Sequence, residues 1–236
     1  AIAAARRFFV GIIAAFPVFP EQESRFSGFK ANARQNDRLP CRRRRTRSQE
    51  NSVYTDGSTL ESALERYGLE TEGEPDPVFN FQSYEEAPRA LDDGIAYSLS
   101  FRFSPYEDVR FDYSTEDGRY YKSEFGQPQL DAADGGRQYR VDNVFLLFTS
   151  IGRYPDGLLS QVNLEQGVGF YFSQGRYERV RWMKGRGEAP LRIVDDEGRE
   201  QDVTVNPGTS YIAFVGDDLL AHCRIGDATL EELYGA

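Results

Sequence analysis

The sequence predicts a mainly β (α+β) fold, an antiparallel β-sandwich or open barrel with one or two short helices. The first observation is residues 141–149, an apolar run rich in aromatic and β-branched residues, as expected for a strand buried on both faces. The second is the chain from residue 94 onward, where short alternating segments are separated by Gly-bearing turns. Strands at this spacing are typical of antiparallel sandwiches and open barrels.

The clearest helix is predicted at residues 56–68. Ser58 or Thr59 is expected to be the N-cap, and Gly68 is expected to end the helix. Its apolar positions recur at helical spacing, at Leu60, Ala63, Leu64 and Tyr67.

Two alternating segments precede the central run. In residues 78–82, Phe79 and Phe81 are expected to share one face. In residues 95–103, every second residue is apolar, which predicts a half-buried strand. The residues expected on its buried face are Ile95, Tyr97, Leu99, Phe101 and Phe103.

Hairpins are predicted where two such segments flank a Gly-bearing turn. The paired segments are 109–113 with 119–123, 167–172 with 176–183, and 191–194 with 202–205. Residues 131–136 are expected to turn the chain into the central run, and residues 206–208 into a strand at 209–215. A second short helix is predicted at 229–234.

Charge and composition divide the chain into three parts. Residues 1–50 form a basic, partly apolar segment, residues 51–77 a helix with an acidic linker, and residues 78–236 an antiparallel β domain. Residues 1–50 hold 11 Lys and Arg against 4 Asp and Glu, although the whole chain has a net charge of −10. Because an acidic body repels phosphates, nucleic acid is not an expected partner, and any contact with nucleic acid or anionic lipid is assigned to the basic run at 42–47.

The N-terminal segment has two interpretations. Arg6 and Arg7 precede an apolar stretch at residues 8–19, which is the order of a secretory signal. The same stretch also fits a buried strand or helix of a truncated domain. It is shorter than the roughly 20 apolar residues of a membrane-spanning helix.

Few residues offer catalytic chemistry. The chain has two Cys and one His, so no metal site or cofactor is expected. His222 and Cys223 are adjacent, which places their side chains on diverging sides and argues against a Cys/His catalytic pair. Carboxylate clusters, among them Glu107 with Asp108, lie at predicted turns, where Asp and Gly are favoured for backbone reasons.

A series of short elements in residues 95–216 resembles the C-terminal half of the YerB-like bacterial lipoprotein family, whose activity is uncharacterised. The elements are Val109-x-Phe-x-Tyr113, Gly118-Arg-Tyr120, Lys122-Ser123, Gly126, Asp131, Asn143-Val144, Gly169-x-Tyr-Phe-x-x-Gly175, Trp182-x-Lys184, Asp196-x-Gly198, Asn206-Pro-Gly-Thr209 and Ile212. The resemblance implies export and lipid anchoring. It also implies a truncated or diverged member, because the family's larger N-terminal domain has no counterpart in residues 1–46.

Arg47, Tyr54 and Thr55 resemble the retained part of the family's Arg-x-x-Pro-His-Asn-Leu-Tyr-Thr element. Asn51 stands where that element has His, and the imidazole would be its most capable acid–base group. We therefore expect a binding role for these three residues, with Asp131 and Trp182 as members of a groove. For Trp182 the alternative is a core aromatic.

The leading hypothesis is a non-catalytic binding or scaffolding module of the bacterial cell envelope, membrane-attached or exported, with the cytoplasm as an alternative location. Its expected partner is an envelope protein or a cell-wall component, with membrane association through the N-terminus. The second hypothesis is a carboxylate-dependent hydrolase of a cell-wall or glycan substrate, using residues such as Asp112, Asp131 or Asp142.

Overall fold

The computed structural model describes residues 56–68, 79–155, 157, 160–185 and 189–234, together with two short strands at 42–43 and 53–54. These residues fall into two compact units. The smaller unit lies within Phe19–Asp76, and residues 79–234 belong to the larger unit.

Short strands make up most of the regular structure in the described residues. In chain order they are β1 (Arg42–Arg43), β2 (Val53–Tyr54), β3 (Asn80–Phe81), β4 (Gly94–Ile95), β5 (Ser98–Ser104), β6 (Glu107–Ser114), β7 (Arg119–Glu124), β8 (Gln127–Pro128), β9 (Leu130–Asp131), β10 (Arg137–Gln138), β11 (Arg140–Val141), β12 (Asn143–Thr149), β13 (Ile151–Arg153), β14 (Ser160–Val162), β15 (Gln166–Ser173), β16 (Arg176–Met183), β17 (Arg192–Asp195), β18 (Thr204–Val205), β19 (Ser210–Gly216), β20 (Arg224–Ile225) and β21 (Ala228–Thr229). The helices are α1 (Gly57–Tyr67), α2 (Leu230–Tyr234) and two 3₁₀ helices, Ala132–Asp134 and Asp217–His222. The predicted mainly β class with short helices is confirmed.

Helix α1 lies in the smaller unit, and its two ends differ in how well they were predicted. The N-cap is Asp56, whose carboxylate accepts a hydrogen bond from the Thr59 N–H at 2.8 Å. The prediction of Ser58 or Thr59 was wrong because the earlier carboxylate reaches the free N–H groups of the first turn. Gly68 ends the helix in the left-handed conformation, as predicted.

Seven strands form the outer sheet of the larger unit. They lie in the order β11, β7, β6, β5, β20 and β21, with β8 beside β7, and all pairs are antiparallel. The predicted hairpin of residues 109–123 is confirmed as β6 and β7, with Gly118 at a φ of 72° in its turn.

The central sheet is built around β12, the apolar run that the sequence singles out. Its order is β17, β16, β15, β12 and β19, with β4 beside β16. All seven residues of β12 are buried, as predicted. The pairing of β12 with β19 is parallel, unlike the antiparallel arrangement expected, because a long connection returns the chain to the starting end of β12.

Two apolar clusters cover the two faces of the central sheet. One lies between the sheets and contains Val144, Leu146 and Phe148 of β12. The other contains Phe145 and Leu147 of the same strand and is covered by residues 79–91, in which Phe79 and Phe81 pack together as predicted. The larger unit is therefore an open sandwich with an added third layer, and its sheets do not close into a barrel within the described chain.

The prediction for the start of the 95–103 segment was wrong. Leu99 and Phe101 are buried, but Ile95 is 60% and Tyr97 57% exposed. Ile95 belongs to β4 of the central sheet, whereas β5 belongs to the outer sheet. The chain crosses between the sheets at Ala96, which is buried, and the alternation restarts there.

The predicted hairpin of residues 191–205 forms only in part. Val194 bridges Asp202 in antiparallel fashion, and the Val203 N–H donates to the Ile193 carbonyl at 2.9 Å. Strand β18 then pairs in parallel with β3 instead of continuing along β17. The chain leaves the hairpin because residues 79–81 supply another strand for it to pair with.

Gly167 allows the closest packing in the central sheet, and a substitution there is expected to destabilise the fold. A Cβ atom at this position would lie 2.2 Å from the Phe148 carbonyl oxygen and 2.6 Å from the Trp182 indole nitrogen. We expect Gly167→Ala to lower the free energy of unfolding by about 1–3 kcal/mol, measured by urea denaturation. Gly152→Ala is the matched control, because nothing lies within 4 Å of its Cβ position. Equal effects of the two substitutions would contradict this account.

Candidate functional site

Three strands of the outer sheet meet at Lys122, and their backbones close a ring of hydrogen bonds. The Lys122 N–H donates to the Tyr139 carbonyl at 2.9 Å, the Tyr139 N–H to the Gln129 carbonyl at 2.7 Å, and the Gln129 N–H to the Lys122 carbonyl at 3.1 Å. Strand β8 leaves β7 at this point, and β11 replaces it. Residues directly opposite one another in an antiparallel pair share a face, so the ring holds these three side chains together on a rigid scaffold.

Several side chains at this junction carry unpartnered polar atoms. Among the described residues, four buried side-chain nitrogen or oxygen atoms have no hydrogen-bond partner. Three of them are the Lys122 Nζ, the Gln129 Oε1 and the Tyr211 Oη, and Tyr211 packs over the same place from β19 of the facing sheet. A buried polar group without a partner costs about 1–3 kcal/mol, so such groups are usually satisfied.

An aromatic ring lies over the Lys122 ammonium, and two further rings pack against that ring. The Lys122 Nζ lies 5.2 Å from the centre of the Tyr211 ring, within the range of a cation–π contact. The Tyr211 ring in turn packs at 5.1 Å from Phe111 and 6.4 Å from Tyr139. The Lys122 side chain has no exposed surface, and burial lowers the pKa of its amine, although the nearby carboxylates act in the opposite direction.

Two carboxyl groups complete the site. Glu124 Oε2 lies 3.7 Å from the Lys122 Nζ, longer than a hydrogen bond. The pKa of Glu107 is raised first by burial, and further by a hydrogen bond with Glu124 and by charge repulsion from it. We call Glu107 and Glu124 the carboxyl pair, and the carboxyl pair with Lys122, Gln129 and Tyr211 the lysine cluster.

The lysine cluster can bind a polar group and can exchange protons. Its amine and phenol can donate hydrogen bonds, its amide oxygen and carboxylate can accept them, and the Tyr211 ring lies over the amine. A carboxyl with a raised pKa beside a second carboxylate is also the pattern of a general acid–base pair. In the described part of the chain, no three His, Cys, Asp or Glu side chains are placed to hold a metal ion.

A charged cleft lies beside β16. It has a volume of about 450 Å³, and Arg89 donates to both carboxylate oxygens of Glu178 there, at 2.7 and 2.5 Å. The Arg89 Nε also donates to the Thr204 carbonyl at 3.1 Å, while Asp93 accepts from the Arg179 N–H at 2.6 Å. Because these charges pair with one another and with the backbone, the cleft primarily holds residues 89–93 to the central sheet.

A buried polar network accounts for several elements of the YerB-like pattern. The Tyr171 hydroxyl donates to Asn143 Oδ1 at 2.9 Å and accepts from the Asn206 N–H at 2.9 Å. Asn143 Nδ2 donates to the Asn206 carbonyl at 2.8 Å, and Asn206 Nδ2 to Ser173 Oγ at 3.1 Å. Burial raises the pKa of Tyr171 to about 12, so the phenol stays neutral. These residues join β12, β15 and the turn before β19, which is a structural role.

The resemblance to the YerB-like family is supported by a match to a family of known sequences. Residues 99–212 match the sequence model of the family described as "Protein of unknown function (DUF3048) C-terminal domain". The matched residues lie within the β domain. The match lies within the range of 95–216 expected from the sequence, and the YerB-like assignment is confirmed.

The chain also matches a solved structure. The crystal structure of YerB protein from Bacillus subtilis superposes with a TM-score of 0.60 at 20% sequence identity, covering 74% of this chain and 56% of that one. The chain thus spans a little over half the length of YerB, and at this identity the likeness shows the fold. No curated protein matches the chain significantly.

The residues predicted for binding belong to different parts of the chain. Arg47 and Thr55 lie outside the described residues, and Tyr54 is described only as part of β2, opposite Arg42. Asp131 lies in β9, opposite Arg137. Of this set, Asp131 and Trp182 lie in the larger unit, and they belong to different sheets.

Trp182 lies where the alternative interpretation placed it, in the core. Its side chain is fully buried, and the indole N–H donates to the Phe148 carbonyl at 3.1 Å. The ring also packs edge-on against Phe214 at 5.1 Å. A ligand could touch this ring only after the core had opened.

The carboxylates named for a hydrolase are engaged separately. Asp112 accepts hydrogen bonds from Arg110 on the same strand, at 2.6–3.0 Å. Asp142 accepts from the Thr209 N–H at 2.7 Å and from its hydroxyl at 3.0 Å, which fixes the turn before β19. The carboxylates that do meet are Glu107 and Glu124 instead.

His222 and Cys223 point apart, as expected. His222 is exposed, whereas Cys223 is fully buried, and burial raises the pKa of its thiol to about 11. A protonated, enclosed thiol is a poor nucleophile.

None of the helices in the described residues is long and apolar enough to span a bilayer.

Sequence reasoning missed the lysine cluster. Lys122 was noted only as one element of the family pattern, and Glu107 only as part of a turn cluster. A usable signal was present, since Lys122 occupies an inward-facing position two residues after Tyr120, where an apolar residue is the norm.

Proposed function

We propose that this protein is a non-catalytic binding module of the bacterial cell envelope that holds a small polar ligand in the lysine cluster. The observation that carries the proposal is that three buried, unpartnered polar atoms belong to Lys122, Gln129 and Tyr211, of which Lys122 and Gln129 are joined by a backbone hydrogen bond and the Lys122 Nζ lies 5.2 Å from the centre of the Tyr211 ring. Natural proteins tolerate such unpaired groups mainly where they serve function.

The envelope location is part of the same proposal. It is supported by the resemblance to the YerB-like lipoproteins and by the signal-like order of residues 6–19. The expected partner is an envelope protein or a cell-wall component, and attachment to the membrane would be made through the N-terminal segment. Copurification of the native protein with the cytosolic fraction alone would contradict this location.

A ligand panel tests the binding role. The full chain is titrated with alanine, propionate, ethanolamine and N-acetylglucosamine, and binding is followed by ligand-observed NMR. We expect at least one probe to bind saturably with a dissociation constant below about 10 mM. Binding should be lost in Lys122→Met and retained in Tyr84→Ala, a substitution of a residue that is 72% exposed. No binding by any probe, or equal binding by Lys122→Met, would contradict the binding role.

The carboxyl pair favours a second candidate function, the carboxylate-dependent hydrolase. Glu107 could act as the general acid because its pKa is raised, with Glu124 as the carboxylate. We expect the full chain to release no soluble fragments from purified peptidoglycan. Release that disappears in Glu107→Gln, a substitution that keeps the shape of the side chain, would establish the hydrolase in place of the binding module.

A further inference from the structure

Two tyrosine rings stack on one another beside the β6–β7 turn, at the opposite end of β7 from Glu124. The centres of the Tyr97 and Tyr113 rings lie 5.9 Å apart, and their planes differ by 10°. Tyr97 keeps 57% of its surface exposed, so its ring is open to solvent on the side away from Tyr113. Tyr113 is half-buried, and its N–H donates to the Tyr97 carbonyl at 2.8 Å. The exposed ring therefore lies flat on a fixed support.

The tip of the β15–β16 hairpin holds the two rings in place. Gly175 takes a φ of 71°, and a Cβ atom there would lie 2.8 Å from the Tyr113 ring and 2.9 Å from the Tyr97 ring. Only glycine allows both rings to come so close to the backbone. Gln174, just before it, has a φ of 52°, which is uncommon for a residue with a side chain. Such conformations persist where the surrounding structure enforces them, and they cluster at functional sites.

Hydrogen-bonding groups border the exposed ring. The Gln174 amide nitrogen and oxygen both lie 3.7 Å, and the Tyr113 hydroxyl 3.8 Å, from the position that a Gly118 Cβ atom would occupy. An amide and a phenol therefore lie near one another at the β6–β7 turn. The pKa of Tyr113 is raised first by burial, and further by the charges of Tyr97 and Asp117, so the phenol stays protonated as a donor. We call the Tyr97 and Tyr113 rings with the Gln174 amide the tyrosine platform.

We propose that the tyrosine platform binds a neutral glycan chain. The flat side of a pyranose ring carries C–H groups that pack on the electron-rich face of a tyrosine, while its hydroxyl groups point outward to an amide, a phenol or a carboxylate. An exposed, flat ring bordered by such groups fits this ligand better than a wholly apolar one. The carboxylates of Glu116 and Asp117 in the adjoining turn are exposed and would repel an anionic chain. Ile95, opposite Arg176 just after the hairpin tip, is 60% exposed and adds apolar surface for a neighbouring sugar.

The inference concerns a surface other than the lysine cluster, and oligosaccharide titration tests it separately. The full chain is titrated calorimetrically with the hexamers of N-acetylglucosamine and of glucose, and with a proline decamer, a peptide that also packs on aromatic rings. We expect at least one hexamer to bind with a dissociation constant below about 1 mM, and the proline peptide not to bind. A single N-acetylglucosamine contacts only one ring of this open surface, so its dissociation constant here should exceed about 10 mM.

Variants identify the surface that binds. Tyr97→Ala should weaken hexamer binding about tenfold, because the exposed ring supplies most of the contact, whereas Tyr97→Phe keeps the ring and should stay within about twofold of the wild type. Tyr84→Ala, at another exposed tyrosine, is the matched control and should bind like the wild type. Lys122→Met should also bind the hexamer like the wild type, which separates this surface from the lysine cluster.

Three results would overturn the tyrosine platform. They are equal hexamer binding by Tyr97→Ala and the wild type, binding of the proline peptide alone, and no binding of either hexamer. Loss of hexamer binding in Lys122→Met, with full binding by Tyr97→Ala, would assign the glycan to the lysine cluster instead and leave the proposed binding function standing.

Discussion

Replacing Lys122 with methionine is expected to raise the free energy of unfolding by about 1–2 kcal/mol while abolishing ligand binding. The stabilisation follows because the amine is fully buried and makes no hydrogen bond, while its ion-pair partner, Glu124 Oε2, lies 3.7 Å away on a side chain that stays partly exposed to water. Methionine fills a similar volume and carries no charge into the core. Urea denaturation of the two proteins at pH 7 measures the difference.

The stability gained by Lys122→Met is expected to decrease as the pH rises. Burial lowers the pKa of Lys122 in the folded state below its usual value. Between the folded and unfolded pKa values the unfolded chain binds more protons, so wild-type stability rises with pH across that window. The difference in free energy of unfolding between Lys122→Met and the wild type should therefore shrink as the pH rises. Lys184→Met, at a lysine that is only half-buried, provides the control. A Lys122→Met variant less stable than the wild type at pH 7 would show that the lysine supports the fold.

Trp182→Ala is expected to lower the free energy of unfolding by about 3–5 kcal/mol. The indole is fully buried, packs against Phe214, and donates to the Phe148 carbonyl across Gly167. Alanine would leave a large cavity in the apolar cluster around Phe145 and Leu147 and would remove the indole hydrogen bond. Thermal and urea unfolding of the full chain measure this loss.

Trp182→Phe distinguishes packing from binding at this position. Phenylalanine retains most of the apolar contact and loses the indole hydrogen bond, so the cost should fall to about 1–2 kcal/mol. Ligand binding by the folded Trp182→Phe variant should equal that of the wild type. A variant with wild-type stability and impaired binding would instead assign Trp182 to a groove.

The parts of the fold that sequence predicts are those in which local pattern and tertiary burial agree. The run that became β12 is apolar at every position because both of its faces are covered, and the hairpin of β6 and β7 has a turn glycine at the required place. Ile95 and Tyr97 were misassigned because alternation cannot reveal that the chain crosses between sheets at Ala96. The parallel partner of β12 depends on a long connection, which no local pattern encodes.

Local sequence pattern does not predict the candidate site either, because its residues meet only through the pairing of strands in the folded chain. Lys122, Gln129 and Tyr139 meet only because three strands exchange partners at one point, and Tyr211 arrives from the opposite sheet. Pairing also decides which carboxylates meet. Asp112 and Asp142 are engaged by Arg110 and Thr209, whereas Glu107 and Glu124 are brought together by the β6–β7 hairpin.

A crystal structure of the full chain soaked in alanine, propionate and N-acetylglucosamine would test most directly whether the lysine cluster is a ligand site. The account predicts density for a soaked molecule within about 3.2 Å of at least two of the three unpartnered atoms, the Lys122 Nζ, the Gln129 Oε1 and the Tyr211 Oη. Density showing these atoms hydrogen-bonded to one another or to protein side chains, with every soaked molecule bound elsewhere, would contradict it.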